Sequence, residues 1–353
     1  MLQKLLEVKG SDLHLKVGSP PAFRIDGELH LSNLEPLTAQ DTASYAEQVL
    51  SERMAMAFET TNEADFAFGK PSLGRFRVNC YRQRGSVNIV IRAVSPASQQ
   101  FGELGLPDIV GQLSDNKRGL ILVTGPTGSG KSTTLGAMID HINSTRRANI
   151  ITLEDPIEIL HPDKKSIVSQ REVGVDTDSF AEGLRRVLRQ DPDVILIGEM
   201  RDRDTVEAAL KAAETGHLVL SSLHTNDASE AVHRIIDIFP ADHQQQIRLM
   251  LAASLTAVLS QRLLPRADGQ GRVPALEVLI NTERVGERIS DPEMTHTLPD
   301  VVAEGSFYGM QSFDQAIIHL YTDGLVSFQD ALAHASNPTD FKLAAQTTGL
   351  MTA

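Results

Sequence analysis

The sequence is poor in cysteine, in basic residues and in long apolar runs, and each shortage argues against a class of protein. With a single cysteine, Cys80, the chain has no internal disulfide and no four-cysteine zinc element. No apolar run approaches the roughly 18 residues that a membrane span requires. Residues 1–16 lack the apolar segment and cleavage site of a secretory signal. We therefore expect a cytoplasmic protein.

Negative charge outweighs positive charge along the chain. Against 46 Asp and Glu there are only 33 Lys and Arg, so the net charge is −13. A motor that moves along nucleic acid usually carries a basic track that neutralises phosphates. The charge balance therefore argues against a DNA translocase, and no nucleic-acid partner is expected. The composition is otherwise that of a globular protein, and 353 residues suggest about two domains.

The sequence does contain a complete phosphate-binding loop. Residues 125–132 match the pattern G-x-x-x-x-G-K-[ST]. An apolar run typical of a buried strand, residues 119–124, precedes them, and helical spacing follows over 132–143, which is the context this motif requires. The loop predicts an ATP site in which Lys131 reaches the β- and γ-phosphates and Ser132 binds Mg²⁺. The predicted nucleotide-binding residues are Gly125, Pro126, Thr127, Gly128, Ser129, Gly130, Lys131, Ser132 and Thr133.

Two glutamates and a histidine follow three other predicted strands, over 149–153, 193–197 and 217–223. Open α/β sheets bind ligands at the carboxyl ends of their strands. We predict that Glu154 orients or activates the attacking water, unless it belongs to a solvated acidic turn. Glu199 ends an apolar strand in the pattern whose carboxylate acts at Mg²⁺, so it is predicted as catalytic and as a metal ligand. Which of the two is the general base stays open.

The histidines are assigned by their place on the last of these strands. His224 lies at its carboxyl end, where a neutral imidazole would donate to the γ-phosphate, so it is predicted as catalytic. His217 lies at the opposite end, and both a subunit contact and a structural role remain open for it.

The first hundred residues predict an α+β domain built on an antiparallel sheet, with a helix over 38–58 and a hairpin turn at Asp26–Gly27. Alternation places Cys80 with the apolar residues of one face, where it packs rather than reacts. The opposite face carries arginines. Arg77 and Arg92 either form a solvated face or reach a nucleotide phosphate held by the other domain or by a neighbouring subunit, and on this second interpretation they are catalytic.

Strands and helices alternate from residue 119 onward, which predicts a mostly parallel sheet covered by helices. A helix is expected over 244–264, and capping boxes at Ser312 and Ser327 begin helices near the end of the chain. The predicted domains are an N-terminal domain over 1–95, a linker over 96–118, an ATPase core over 119–280 and a helical C-terminal subdomain over 281–353.

Five segments together resemble a known family. They are GPTGSGKSTT, ITLEDPIE, QREVGVDTDSF, LRQDPDVILIGEMRD and AAETGHLVLSSLHTN. They look like the Walker A, Asp, Walker B and His boxes of the secretion ATPases, and in particular of the PilT/PilU-type retraction motors of type IV pili. The likeness runs through nearly the whole chain. Four boxes in this order are highly specific, whereas the phosphate loop alone is not.

The resemblance implies a PAS-like N-terminal domain, a RecA-like P-loop ATPase domain with a helical C-terminal region, and a homo-hexameric ring. ATP and Mg²⁺ would bind between the two domains, with arginines of the N-terminal sheet closing on the nucleotide. Hydrolysis would pull on an inner-membrane platform protein of the pilus from the cytoplasmic side of the membrane, retracting the fibre and driving twitching motility. The single cysteine and short N-terminal region resemble retraction motors more than assembly motors.

Two alternatives remain. Retraction motors resemble one another in a helix near the C-terminal region, and residues 284–290 match only part of its sequence pattern. Gly286 also disfavours a helix there. The chain would then be an accessory nucleotide-binding subunit with little turnover, and its partner would be a second retraction ATPase. The third interpretation, a DNA-translocating or conjugative secretion ATPase, is opposed by the acidic charge balance.

Overall fold

The computed structural model describes residues 1–25, 27–70, 73–94 and 100–347. Asp26 of the predicted hairpin turn and residues 96–99 of the predicted linker lie outside these ranges. Contacts between Cα atoms divide the chain into two units, Met1–Pro96 and Ala97–Ala353. Within the described ranges, every helix is too short or too polar to span a bilayer.

The first unit is an antiparallel sheet with helices on one face. Its described strands are β1 Asp12–Leu15, β2 Ala22–Ile25, β3 Glu28–Leu31, β4 Glu63–Lys70, β5 Gly74–Gln83 and β6 Ser86–Val94. They lie in the order β3-β2-β1-β6-β5-β4. Its helices are α1 Leu2–Glu7, α2 Ala39–Val49 and α3 Glu52–Thr61. One sheet face, with Phe76, Val78 and Cys80, packs against Phe58 of α3 in a single apolar core, as the alternation predicts.

The single helix expected over 38–58 is wrong, because the chain forms two helices there. Thr38 does cap α2, in a capping box with Asp41. The helix then stops at Leu50, whose backbone is extended, and Ser51 begins α3 by accepting a hydrogen bond from the Met54 N–H. Serine favours this cap position because its hydroxyl satisfies an N–H that the first helical turn leaves unpaired.

The second unit is built on a mostly parallel sheet, as predicted. Its described strands are β7 Gly119–Thr124, β8 Asn149–Glu154, β9 Ile167–Glu172, β10 Val194–Ile197, β11 Leu218–Leu223, β12 Leu255–Pro265 and β13 Arg272–Ile280. They lie in the order β13-β12-β7-β11-β10-β8-β9. Neighbours run parallel except for β13, which pairs antiparallel with β12.

Helices cover both faces of this sheet. They are α4 Ile109–Ser114, α5 Lys131–Thr145, α6 Phe180–Val187, α7 Arg203–Glu214, α8 Ala228–Asp237, α9 Ala241–Ser254, α10 Glu283–Ser290, α11 Leu298–Glu304, α12 Phe313–Thr322, α13 Phe328–His334 and α14 Pro338–Thr347, with 3₁₀ helices at Thr295–Thr297 and Ser306–Tyr308. On β7, Leu120 and Leu122 pack in one core layer, whereas Ile121 and Val123 pack in the other. Buried on both faces, β7 is a continuous apolar run.

Three parts of this unit differ from expectation. The helix expected over 244–264 is wrong beyond Ser254, because the chain continues as strand β12. The predicted linker contains the packed helix α4, whose Val110 and Leu113 are buried. Residues 284–290 are helical in α10 despite Gly286. The division of the chain into four parts stays a prediction.

Candidate nucleotide-binding and catalytic site

Four loops that follow neighbouring parallel strands meet at one pocket. β7 leads into the phosphate loop, β8 ends at Glu154, β10 is followed by Glu199, and β11 is followed by His224. The carboxyl ends of these strands are aligned by their register, since Leu223 lies opposite Thr124 and Ile197 opposite Leu153. The pocket has a volume of about 500 Å³, and Lys131, Ser132 and Thr133 also line it. Sequence motifs about 100 residues apart therefore converge as the topology requires.

The phosphate loop adopts backbone angles that favour glycine. Gly125, Gly128 and Gly130 have φ values of 145°, 80° and 92°. At Gly125 a Cβ would also lie only 2.5 Å from the carbonyl oxygen of Gln261 on β12. Both conformation and space therefore exclude other residues there. The loop ends where α5 begins at Lys131, so the unpaired N–H groups of the first helical turn face the pocket.

Lys131 is buried and held against the loop that precedes it. Its Nζ donates to the carbonyl oxygens of Gly125, at 2.8 Å, and Pro126, at 3.0 Å. Burial lowers the pKa of Lys131, while the carboxylates of Glu158 and Glu199 act in the opposite direction. The ammonium group thus has carbonyl partners that an incoming phosphate would supplement or replace.

Gln261 fixes the loop from the neighbouring strand. This residue is only 3% exposed. Its Nε2 donates to the Ser129 carbonyl at 2.8 Å, and its Oε1 accepts from the Thr134 hydroxyl at 2.7 Å. One side chain therefore joins the loop and the first turn of α5 to β12. No sequence motif marks Gln261, and only the pairing of β12 with β7 reveals its role.

Glu154 is half-buried and hydrogen-bonded by neutral donors. Its Oε1 accepts from the Thr152 hydroxyl at 2.6 Å and from Gln170 Nε2 at 3.1 Å. Burial raises the pKa of Glu154, and the two hydrogen bonds act against that rise. Glu154 also lines the pocket, and its role in orienting water stays a prediction. A free acidic turn does not describe this environment.

Glu199 lies between two basic side chains. Its Oε2 is 2.8 Å from a terminal nitrogen of Arg201 and 3.7 Å from His224 Nε2. The pKa of His224 is lowered, first by burial and then by the positive charge of Lys131. This shift favours the neutral imidazole at neutral pH, in which one ring nitrogen is an N–H donor and the other an acceptor.

Arg77 and Arg92 belong to the first unit and are opposite one another on β5 and β6. Both are exposed, on the sheet face away from the apolar core. Arg92 Nε lies 2.7 Å from Oδ1 of Asp12, a buried carboxylate on β1. Arg24 of β2 lies opposite Asp12 in the same row. The row therefore carries three arginines and one aspartate.

His217 lies away from this pocket, at the turn that precedes β11. Its Nδ1 lies 2.9 Å from the Ala212 carbonyl oxygen, at the end of α7. This contact gives His217 a local structural role. The pocket also contains His161, Phe180 and Arg272, to which the sequence assigns no role, although Phe180 ends the segment QREVGVDTDSF. Burial lowers the pKa of His161 to about 4, so this imidazole is neutral.

The fold and the site together define a class. A mostly parallel sheet in the order β12-β7-β11-β10-β8, a phosphate loop after the inner strand β7 and acids at the ends of nearby strands are those of a RecA-like P-loop ATPase. The antiparallel α+β unit precedes it. The predicted fold class is therefore confirmed.

Comparison with known proteins gives the family. Residues 1–305 match the family described as Type II/IV secretion system protein, and the chain belongs to this family. The chain is 42% identical over 343 residues to the type IV pilus ATPase PilU of Pseudomonas aeruginosa, covering 97% of this chain and 90% of that protein. It is 43% identical over 331 residues to the type IV pilus retractation ATPase PilT of Pseudomonas aeruginosa, covering 94% and 96%.

A solved structure agrees with these relatives. The crystal structure of the pilus retraction motor PilT with bound ADP superposes with a TM-score of 0.88 at 47% identity, covering 97% of this chain and 98% of that one. The predicted resemblance to PilT/PilU-type proteins is therefore confirmed, as is the predicted enzyme class, an ATPase.

Proposed function

We propose that this chain is an Mg²⁺-ATP-driven motor that retracts type IV pili. The observation that carries the proposal is the convergence of four strand ends on one pocket, in a chain that is 43% identical to a retraction ATPase over nearly its whole length. A pocket with a phosphate loop, a buried lysine and two carboxylates has the parts that phosphoryl transfer to water needs.

Each side chain has a task that follows from its position. The loop N–H groups and Lys131 bind the β- and γ-phosphates. Glu154 accepts a hydrogen bond from the attacking water and orients it. His224, neutral at the end of β11, donates to the γ-phosphate and loses that contact once phosphate leaves. Because α8 begins soon after His224, the loss of this contact would change the position of a helix of the ATPase core.

The residues present suit Mg²⁺. Ser132 offers an exposed hydroxyl at the start of α5, Glu199 offers a carboxylate at the end of β10, and both line the pocket. Within the described part of the chain, no cluster of three or more His, Cys, Asp or Glu side chains forms a separate metal cage. Mg²⁺ usually binds one or two protein groups together with substrate phosphates. When bound with ATP, it would neutralise charge on the β- and γ-phosphate oxygens.

Assembly and partners extend the proposal. The motor would be a homo-hexamer acting on the inner-membrane platform protein of a pilus, from the cytoplasmic face of the membrane. Arg77 and Arg92 would supply positive charge to a bound nucleotide. Support for their role comes from the exposed arginine row of the first unit. In that row the Nε of Arg92 donates a hydrogen bond to the Asp12 carboxylate. The forked terminal nitrogens of arginine suit a phosphate.

Steady-state ATPase activity of the purified chain with Mg²⁺ tests the proposal. Turnover should fall at least about 100-fold in Glu199→Ala and in Glu154→Ala, since the first removes a carboxylate that would act at Mg²⁺ and the second removes the group that orients the attacking water. ADP binding should persist in both variants. Glu182→Ala is the matched control, because Glu182 is a glutamate of the same unit that pairs with Arg186 and does not line the pocket. Unchanged turnover in both variants would refute the mechanism.

One observation supports a second candidate function, that of an accessory subunit. The chain is almost as identical to PilU, at 42%, as to PilT, at 43%. An accessory subunit would bind ATP tightly, hydrolyse it slowly and stimulate a second retraction ATPase when the two are mixed. Retraction of pili in a strain that lacks its own retraction ATPases distinguishes the two, because only a self-sufficient motor restores it alone. A salt-sensitive DNA shift would instead revive the DNA-translocase alternative.

A further inference from the structure

The amide of Gln170 makes three hydrogen bonds beside the pocket. Gln170 lies on β9, next to β8, with Thr152 as its partner in the register. Its Nε2 donates to Glu154 Oε1 at 3.1 Å and to the Ile159 carbonyl oxygen at 2.8 Å. Its Oε1 accepts from the His161 N–H at 2.9 Å. Gln170 thus connects the candidate catalytic carboxylate to the backbone of the loop that follows β8.

These partners determine which way the amide faces. A backbone carbonyl can only accept and a backbone N–H can only donate. The Ile159 carbonyl therefore requires the NH₂ group, and the His161 N–H requires the amide oxygen. The NH₂ group is consequently the one that faces Glu154. A flipped amide would place its oxygen against both a carboxylate and a carbonyl oxygen.

Glu154 depends on such donors because of its surroundings. Both side-chain donors, Thr152 and Gln170, end on the same oxygen, Oε1. The nearby charge of Glu158 opposes ionisation of Glu154, as burial does. The backbone N–H of Glu158 also hydrogen-bonds to this carboxylate. A carboxylate held by fixed donors, two of them on one oxygen, has a defined plane and orientation.

We infer that Gln170 is a positioning residue, which orients the Glu154 carboxylate toward the attacking water without touching the nucleotide itself. The inference rests on the proposed ATPase function. Thr152 supplies the second donor. Gln170 is fixed by the loop backbone rather than by another side chain, so the position of that loop sets the orientation of Glu154. A shift of residues 159–161 would therefore change turnover without changing the phosphate loop.

Three variants test this role in the full-length protein. Gln170→Leu removes the donor at similar volume, and Gln170→Glu keeps the shape but places a second carboxylate beside Glu154. Asn149→Leu is the matched control. Asn149 lies on β8 at the opposite end from Glu154, and its Nδ2 donates to the Gln190 and Asp191 carbonyl oxygens. It therefore loses comparable amide–backbone bonds away from the pocket.

The readouts are kcat and KM for ATP, ADP affinity and Tm. We expect kcat to fall at least tenfold in Gln170→Leu and further in Gln170→Glu, with KM and ADP affinity within threefold of the parent. Asn149→Leu should lower Tm similarly but leave kcat within twofold. A purely structural role predicts instead that KM, ADP affinity and kcat change together, and that result would overturn the inference.

The parent protein and Glu154→Ala separate this inference from the proposed function. If the parent hydrolyses ATP and Glu154→Ala does not, the function stands. A kcat for Gln170→Leu and Gln170→Glu near the parent value then refutes the positioning role alone. If the parent shows no turnover, or if Glu154→Ala retains it, the proposed mechanism fails and the role of Gln170 fails with it.

Discussion

Replacing Gln261 with leucine should weaken nucleotide binding, although Gln261 lies on β12 and outside the phosphate-loop motif. The substitution removes both partners that join β12 to the phosphate loop, the acceptor for Thr134 and the donor to Ser129. The Thr134 hydroxyl can turn to a carbonyl of its own helix. In Gln261→Leu the Ser129 carbonyl oxygen loses the donor that it has in the parent protein. An unsatisfied buried group costs about 1–3 kcal/mol.

A cost of about 2 kcal/mol lowers Tm by roughly 4–8 °C for a unit of this size. ADP binding should change as well, because the loop must regain its geometry to bind phosphate. If the competent loop falls to about one-tenth of the population, the ADP dissociation constant rises about tenfold. Thermal unfolding and titration of ADP by calorimetry measure the two effects on one preparation.

Gln311→Leu is the matched control for this substitution. Gln311 is half-buried and donates to the Leu276 carbonyl oxygen at 2.9 Å, but it does not line the pocket. It should lower Tm and leave ADP affinity within about twofold of the parent. An unchanged ADP affinity in Gln261→Leu, despite a lower Tm, would show that Gln261 supports the fold and not the loop.

Two further predictions concern charge. Burial raises the pKa of Glu277 from 4.5 to about 7. The folded protein therefore holds this proton more tightly than the unfolded chain does. As a result, the free energy of unfolding falls as pH rises between these two pKa values. Glu277→Gln should flatten the change in Tm between about pH 5 and pH 8, and an unchanged slope would contradict this. Arg77→Ala and Arg92→Ala should each lower turnover at least tenfold without altering the assembled mass in light scattering. The control is Arg53→Ala, because Arg53 is an exposed arginine on α3. Normal rates in both variants would mean that Arg77 and Arg92 form only a solvated face.

The sequence predicts well those elements whose beginning and end are marked by particular residues. β7 begins at Gly119 and runs into the glycines of the phosphate loop, so its bounds are those expected. The phosphate loop, Glu154, Glu199 and His224 were all predicted at strand ends and do line one pocket. The parallel sheet brings them together because each lies at the carboxyl end of its strand.

The parts that sequence misses are decided by tertiary pairing. Residues 244–264 contain no glycine or proline to mark where α9 ends, and the chain becomes a strand only because β12 pairs with both β7 and β13. β9 is a polar edge strand without clear alternation. Gln261 and Gln170 lie on these two strands. Gln170 begins the segment QREVGVDTDSF, but the contacts of both side chains depend on how their strands pair, which the sequence does not predict.

Adjacent residues on β12 reach in two directions. Gln261 holds the phosphate loop, and Gly125 lies so close to its carbonyl that no other residue fits. The next residue, Arg262, lies 3.8 Å from the ring centroid of Phe313 on α12 and donates to the His334 carbonyl oxygen at the end of α13. Packed interiors compress little. A displacement of the loop would therefore strain β12 or move the C-terminal helices with it, so this strand couples the position of the loop to that of the C-terminal helices.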